Sequence, residues 1–200
     1  RRRHTACGYN VRMPESPQPT LHTARLTLRP FVVEDAGAVQ RLAGSERVAA
    51  TVPVIPHPYL DGMAEGWIAT HADAWRDRKS VSFAIERPMN DAEGPVLVGA
   101  VSLLIGPYSR QTAELGYWIG HPFWGNGYAT EAAREVVRFG LEDMDLLRIH
   151  ASYMAGNEAS GRVLEKVGFR PEGMRPLHVE RFGKHHDLHV VGLVRSNASG

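Results

Sequence analysis

The sequence predicts a single α/β domain, and three observations carry that expectation. Its 200 residues, 43% hydrophobic and 22% charged, suit one domain with a substantial core. Apolar residues recur with period two in some segments and at helical spacing in others, interspersed along the chain. Leu115 to Ala132 joins a hydrophobic run, a glycine-rich turn and a helix start without a break.

Residues 1–20, with Pro14, Pro17 and Pro19, read as a disordered leader, 21–195 as the domain and 196–200 as a tail. Arg25 to Phe31 alternates like a strand. Glu34 and Asp35 then open a short helix reaching Ala43. Three prolines between Thr51 and Tyr59 forbid a helix and predict a stiff loop. A second helix is expected from Asp61 to about Arg78, through Trp67, Ile68 and Trp75. Val81 to Glu86 and Val96 to Leu104 read as strands joined by the turn-rich segment 88–94. Thr112 to Ile119 is the next strand. The helix after it, from about Gly127 to Glu142, gathers Ala132, Ala133, Val136 and Val137 near one face. Leu147 to Tyr153 is a strand, Glu158 to Val167 a helix ended by Gly168, and Leu188 to Val194 the closing strand.

Composition excludes several functions. Cys7 is the only cysteine, so one chain can form neither a disulfide nor a cysteine metal site. No apolar run approaches membrane-spanning length, and the arginines at positions 1–3 have no apolar segment behind them. The expected compartment is the cytoplasm, with no membrane partner. Four arginines and one acid occupy the first nineteen residues, which leaves the remainder slightly acidic and without a basic stripe. That argues against a nucleic-acid partner. His185, Asp187 and His189 share one face of a strand by alternation, with His186 opposite. An exposed strand face explains them better than a zinc site, and no metal is expected.

The segment from Leu115 to Ala132 reads as an anion site, the alternative being a tight turn whose glycines serve geometry alone. The first N–H groups of a helix lack intrahelical partners, and the peptide dipoles place positive charge there. Gly125 and Gly127 remove the side chains that would keep a phosphate away. A dinucleotide fingerprint would need a third glycine directly after the first strand, and a phosphate-binding P-loop would need a lysine near Gly127. Neither is present.

The second informative stretch is Asn157-Glu-Ala-Ser-Gly-Arg-Val-Leu-Glu-Lys-Val-Gly-Phe169. With Gly116-Tyr-Trp-Ile119 and Pro122-Phe-Trp-Gly-Asn-Gly-Tyr-Ala-Thr-Glu-Ala132 before it, the chain resembles the GNAT superfamily of N-acetyltransferases. The nearest branch is the ribosomal-protein N-terminal (RimJ/RimL-like) one. The resemblance covers roughly residues 21 to 195, and the motifs together are far more specific than any one alone. It implies a mixed, twisted and splayed sheet of six to seven strands with helices on both faces, binding acetyl-coenzyme A.

Carried over residue by residue, the resemblance implies that Trp124, Gly125, Asn126, Gly127, Tyr128, Ala129 and Thr130 cradle the pyrophosphate. The strand edge through Trp118, Ile119 and Gly120 would pair with the pantetheine arm, and Asn157 would bond that arm. Pro122 stands where many members carry a basic or amide residue, so one phosphate contact must come from elsewhere. The amine acceptor would be a protein N-terminus or a small amine such as an antibiotic or a polyamine, and homodimers are common among members.

Acetyl transfer requires a neutral amine, a polarised carbonyl and a stabilised thiolate. Glu114 is the candidate base, with a solvated strand-end carboxylate as the bland reading. The backbone N–H of Ile119 is the candidate polariser. Many relatives place a tyrosine where this chain has Leu164. Ser160, one turn earlier on the same face, matches the serine of the ribosomal branch and is the candidate partner of the thiolate. The bland reading of Ser160 is a hydroxyl in the first turn after the Asn157 cap. A non-catalytic acyl-coenzyme A-binding module is the contrasting function.

Overall fold

The computed structural model describes residues 17–88 and 94–195. Most of the expected leader, Cys7, most of the 88–94 turn and the expected tail lie outside the described residues. Residues 17–20 run alongside the sheet, and Gln18 Nε2 donates to the Ser82 carbonyl at 2.8 Å.

Eight strands form one sheet in the order β1-β2-β3-β4-β5-β6-β8-β7. They are β1 (Leu21–His22), β2 (Thr27–Arg29), β3 (Ser80–Arg87), β4 (Val96–Ile105), β5 (Thr112–Ile119), β6 (Arg148–Met154), β7 (Arg170–Arg181) and β8 (Lys184–Val194). Six helices accompany them: α1 (Ala36–Ala43), α2 (Glu46–Ala49), α3 (Met63–Ala69), α4 (His71–Arg76), α5 (Tyr128–Glu142) and α6 (Glu158–Val167). Every neighbouring strand pair is antiparallel except β5 with β6.

The sheet exceeds the expected six to seven strands because neither the two-residue β1 nor, above all, the edge strand β7 carries a readable alternation. Its sequence holds Pro171, Gly173 and Pro176 and is largely exposed, so it carries no apolar alternation. It survives as a strand because it lies at the sheet edge, where proline's missing N–H leaves no ladder bond unmade. Register shifts between Pro171 and Gly173, and between Arg175 and Val179, absorb the irregularity. The expected helix from Asp61 to Arg78 is two helices parted at Thr70, whose hydroxyl bonds back to the Trp67 carbonyl at 2.7 Å. The first expected strand is trimmed to Thr27–Arg29 and gains Leu21–His22 as a partner.

The core has two layers, one on each face of the sheet. Ala113, Leu115 and Ile119 of β5 pack with Ala132, Val136 and Leu164 of α5 and α6. Trp118, Ala100 and Ala84 pack on the other face with Val39, Leu42, Val48 and Ile68 of α1 to α3. Strand alternation therefore points odd residues of β5 toward α5 and α6, and even residues toward α1 to α3. At 25 cal/mol per Å², burying one such Leu or Val contributes about 1.5–3 kcal/mol.

Candidate active site

β5 and β6 pair only from Thr112 with Arg148 to Glu114 with His150. Beyond Glu114 they diverge, since β6 keeps its ladder with β8 through Met154 while β5 continues along β4. The bond from Gly120 N to the Val98 carbonyl, 2.8 Å, fixes the parity of the β4–β5 ladder. Main-chain groups of Tyr117 and Ile119 therefore face away from β4, into the splay. The Ile119 carbonyl accepts from Trp124 Nε1 at 2.6 Å, which leaves the Ile119 N–H pointing at the gap. A strand edge of this kind is a template for an extended ligand.

The splay is the floor of a cleft of about 930 Å³. At its far end the chain turns through Gly125 and Gly127, both at φ +80, and enters α5 with no side-chain cap. A Cβ on Gly125 would meet nothing within 4 Å. The N–H groups at Tyr128, Ala129 and Thr130 are thus presented bare, at the positive end of a fifteen-residue helix. This cradle fits the pyrophosphate of acetyl-coenzyme A. Asn126 and Trp124 shape the turn, through Asn126 Nδ2 bonds to the Phe123 and Trp124 carbonyls at 3.0 and 3.2 Å.

Arg25 is a residue the sequence reading missed. Its guanidinium binds Glu131 at 2.7 Å, reaches the Asn126 carbonyl at 3.1 Å and lies over the Tyr128 ring at 5.2 Å. Burial opposes ionisation of Glu131, but bonds from Thr23 and Arg25 outweigh it and hold the carboxyl below its usual range. A cation thus stands beside the glycine turn although no lysine does. Arg162 and Lys166 of α6 also line the cleft. Only the fold brings Arg25 there, about a hundred residues from its partners.

The two candidate catalytic residues sit on opposite faces. Glu114 projects toward the α1–α3 side, half exposed, with Ser152 Oγ donating to it at 3.2 Å and His150 Nε2 standing 3.9 Å away, beyond hydrogen-bond reach. Ser160 lies in the first turn of α6, on the other face, with its hydroxyl 2.7 Å from the Tyr117 hydroxyl. Tyr117 is another residue that sequence reasoning passed over. Burial pushes its phenol up to about 12, while the bond to Ser160 pulls the other way. Leu164 is 1% exposed and belongs to the core.

Asn157 caps α6, with Oδ1 accepting from Ser160 N at 3.2 Å and Nδ2 donating to the Thr51 carbonyl at 3.2 Å. Its amide therefore ties the helix start to the proline loop, which lines the cleft through Thr51, Val52, Pro53 and Val54. Tyr59, Trp67 and Trp75 do not line it. Trp67 packs edge-on against Phe31 and His71, and Trp75 is 7% exposed in the core. His121 stacks edge-on with Trp124 and meets Arg47, as a turn residue.

The β7–β8 hairpin closes the α1–α3 side. Arg181 Nε donates to the Ala49 carbonyl at 2.7 Å and Nη2 to the Ile55 carbonyl at 2.8 Å. His57 meets the Phe182 ring at 5.5 Å. On β8, His189 stacks on Tyr153 and the Asp187 carboxylate accepts from Leu177 N. Among the described residues no group of three or more His, Cys, Asp or Glu is arranged to hold a metal. No helix among them is long and apolar enough to cross a membrane.

Comparison with known proteins agrees with this geometry. Residues 25–170 match the acetyltransferase (GNAT) domain model. The chain is 29% identical over 177 residues to the uncharacterized N-acetyltransferase YoaA of Bacillus subtilis, covering 88% of this chain and 97% of that one. Mycobacterium smegmatis RimJ in complex with CoA-disulfide superposes with a TM-score of 0.71 at 24% identity, over 88% of this chain and 84% of that one. A spermidine N-acetyltransferase from Vibrio cholerae in complex with CoA and spermine gives 0.72 at 20% identity, over 87% and 98%. The chain belongs to the GNAT acetyltransferases, and its α/β fold, its acyltransferase chemistry and its cosubstrate acetyl-coenzyme A are those of that family.

Proposed function

We propose that the protein moves an acetyl group directly to a primary amine within a ternary complex, and that the acceptor is a single terminal amine flanked by apolar groups. One observation carries this reading: Glu114 and Ser160 address the β5–β6 splay from opposite faces of the sheet. Donor and acceptor then meet through the sheet, with no enzyme nucleophile between them.

Bound acetyl-coenzyme A supplies the thioester carbonyl. The bare N–H groups of α5, with Gly125 and Gly127, hold the phosphate end. The β5 edge aligns the arm through Tyr117 and Ile119, because Trp118 and Gly120, expected to share that role, turn their main-chain groups to β4. The Ile119 N–H polarises the carbonyl oxygen. Asn157 sets the start of α6 against that arm. Glu114 accepts the proton of the attacking amine, directly or through a water held by Ser152. Ser160 donates a hydrogen bond to the departing sulfur.

The acceptor wall favours an N-terminal α-amine over a polycation. Val48, Val52, Pro53, Val54, Val179 and Leu188 make it largely apolar. Glu114 is its ionisable acid, because Glu158 stands at the α6 start and accepts from Gly156 N at 3.2 Å. A polyamine would leave its further ammonium groups unpaired there.

The test is a parallel screen of peptides with free N-termini, spermidine and an aminoglycoside, with initial rates at varied concentrations of both substrates. Intersecting double-reciprocal lines with peptide acceptors are expected. Parallel lines, or a preference for spermidine, overturn the reading. A cytoplasmic location and a homodimer belong to the same reading, the latter measurable by sedimentation.

A further inference from the structure

The hydroxyls of Tyr117 and Ser160 lie 2.7 Å apart, a contact in which either could donate, and the Tyr117 O–H also reaches the Ser160 carbonyl as donor at 3.2 Å. A serine inside a helix can turn its hydroxyl out to solvent or back onto the carbonyl four residues earlier. Ser160 meets a phenol reaching up from β5, half-buried against the α5–α6 layer. Leu164, one turn further along α6, is 1% exposed in the core and offers no hydroxyl. The hydroxyl partner therefore comes from the strand.

We propose that Tyr117 is a positioning residue for the departing thiolate: its O–H donates to Ser160 Oγ, which commits the serine's only proton to the sulfur side of the cleft. This rests on reading Ser160 as the partner of the sulfur.

The step balances without a proton leaving Tyr117. The carbon–nitrogen bond forms as the carbon–sulfur bond breaks, sulfur keeps the electron pair, and the amine proton leaves to Glu114. A phenol held at about 12 is a far weaker acid than a thiol at about 8.5, so Tyr117 stays a donor throughout. Ser160 likewise donates a hydrogen bond without giving up its proton. What Tyr117 supplies is direction.

The experiment uses the whole protein and coenzyme A as probe, with Tyr117→Phe, Ser160→Ala and the double variant. Calorimetry gives the affinity for coenzyme A relative to acetyl-coenzyme A from pH 7 to 9.5. In the parent, affinity for coenzyme A gains on that for the acetylated form as the thiol ionises. Both single variants lose about tenfold of that gain, and the double variant loses no more than either single. Unchanged affinity for acetyl-coenzyme A verifies that the cleft is intact. Loss of the gain in Ser160→Ala but not in Tyr117→Phe overturns the role of Tyr117 and leaves Ser160 standing. Retention in both overturns the reading of Ser160 itself. Additive losses overturn positioning, since two independent donors would then act on the sulfur.

Discussion

Glu114 and Tyr117 stand three residues apart on β5 and face opposite sides of the sheet. The carboxylate meets Ser152 at 3.2 Å on one side, and the phenol meets Ser160 at 2.7 Å on the other. In the proposed reaction, one strand presents a proton acceptor to the amine and supports a hydrogen-bond donor for the sulfur. Replacing Glu114 by Gln keeps the shape and removes the acceptor. The expected result is a fall of about a hundredfold or more in kcat, the usual worth of a positioned base, with affinity for acetyl-coenzyme A unchanged. Steady-state kinetics with calorimetry checks both halves.

Gly116 lies between them, on the Glu114 face. Its backbone is not in the left-handed region, and a Cβ there would meet only Ser102 Oγ at 3.4 Å. Neither strain nor packing demands glycine, so its bareness serves the cleft. Gly116→Ala is expected to leave stability unchanged or raise it by about 0.5–1 kcal/mol. Gly116→Val is expected to raise the acceptor KM well above its effect on acetyl-coenzyme A. Thermal melts and a two-substrate kinetic comparison read the two effects separately.

The glycine turn behaves differently. Gly127 sits at φ +80, with Arg25 Nη2 3.5 Å from where a Cβ would stand. Gly127→Ala carries about 1 kcal/mol of backbone strain and places a methyl before the bare N–H groups of α5. A more than tenfold loss of acetyl-coenzyme A affinity is expected by calorimetry. Arg25→Ala should weaken binding less, and more visibly at low salt than at high salt.

His71 is expected to make the protein acid-sensitive. It is 8% exposed, its ring lies against Phe31 and Trp67, and neither nitrogen has a hydrogen-bond partner among the described residues. Burial lowers its pKa from 6.5 to about 4. The folded chain holds it neutral while the unfolded chain protonates near 6.5, so stability is intact above that value. It is lost progressively as pH falls toward 4, by on the order of 2 kcal/mol. Urea melts of the parent and of His71→Leu at pH 7 and 4.5 test this. The variant is expected to lose less on acidification.

Much of this was legible in the chain, for physical reasons. β5 runs from Thr112 to Ile119 and α6 from Glu158 to Val167 as their sequences predict, because apolar periodicity, the Asn157 cap and Gly168 mark local boundaries. The glycine turn and the helix start after it declared themselves through Gly125 and Gly127. β7 did not, since an exposed edge strand with two prolines carries no apolar period. Arg25, Tyr117 and Arg181 were invisible for another reason. Their partners lie 43 to 132 residues away, and nothing local marks a side chain that acts through such a contact.

Arg181 joins the tip of the sheet's last hairpin to two carbonyls beside the proline loop. With α1 to α3 packed on the same face of the sheet, the proline loop is tethered at two points, to the last hairpin through Ile55 and Arg181 and to α6 through Thr51 and Asn157. On the proposed reaction an acceptor enters between those two tethers, which favours the end of a molecule over an amine in mid-chain.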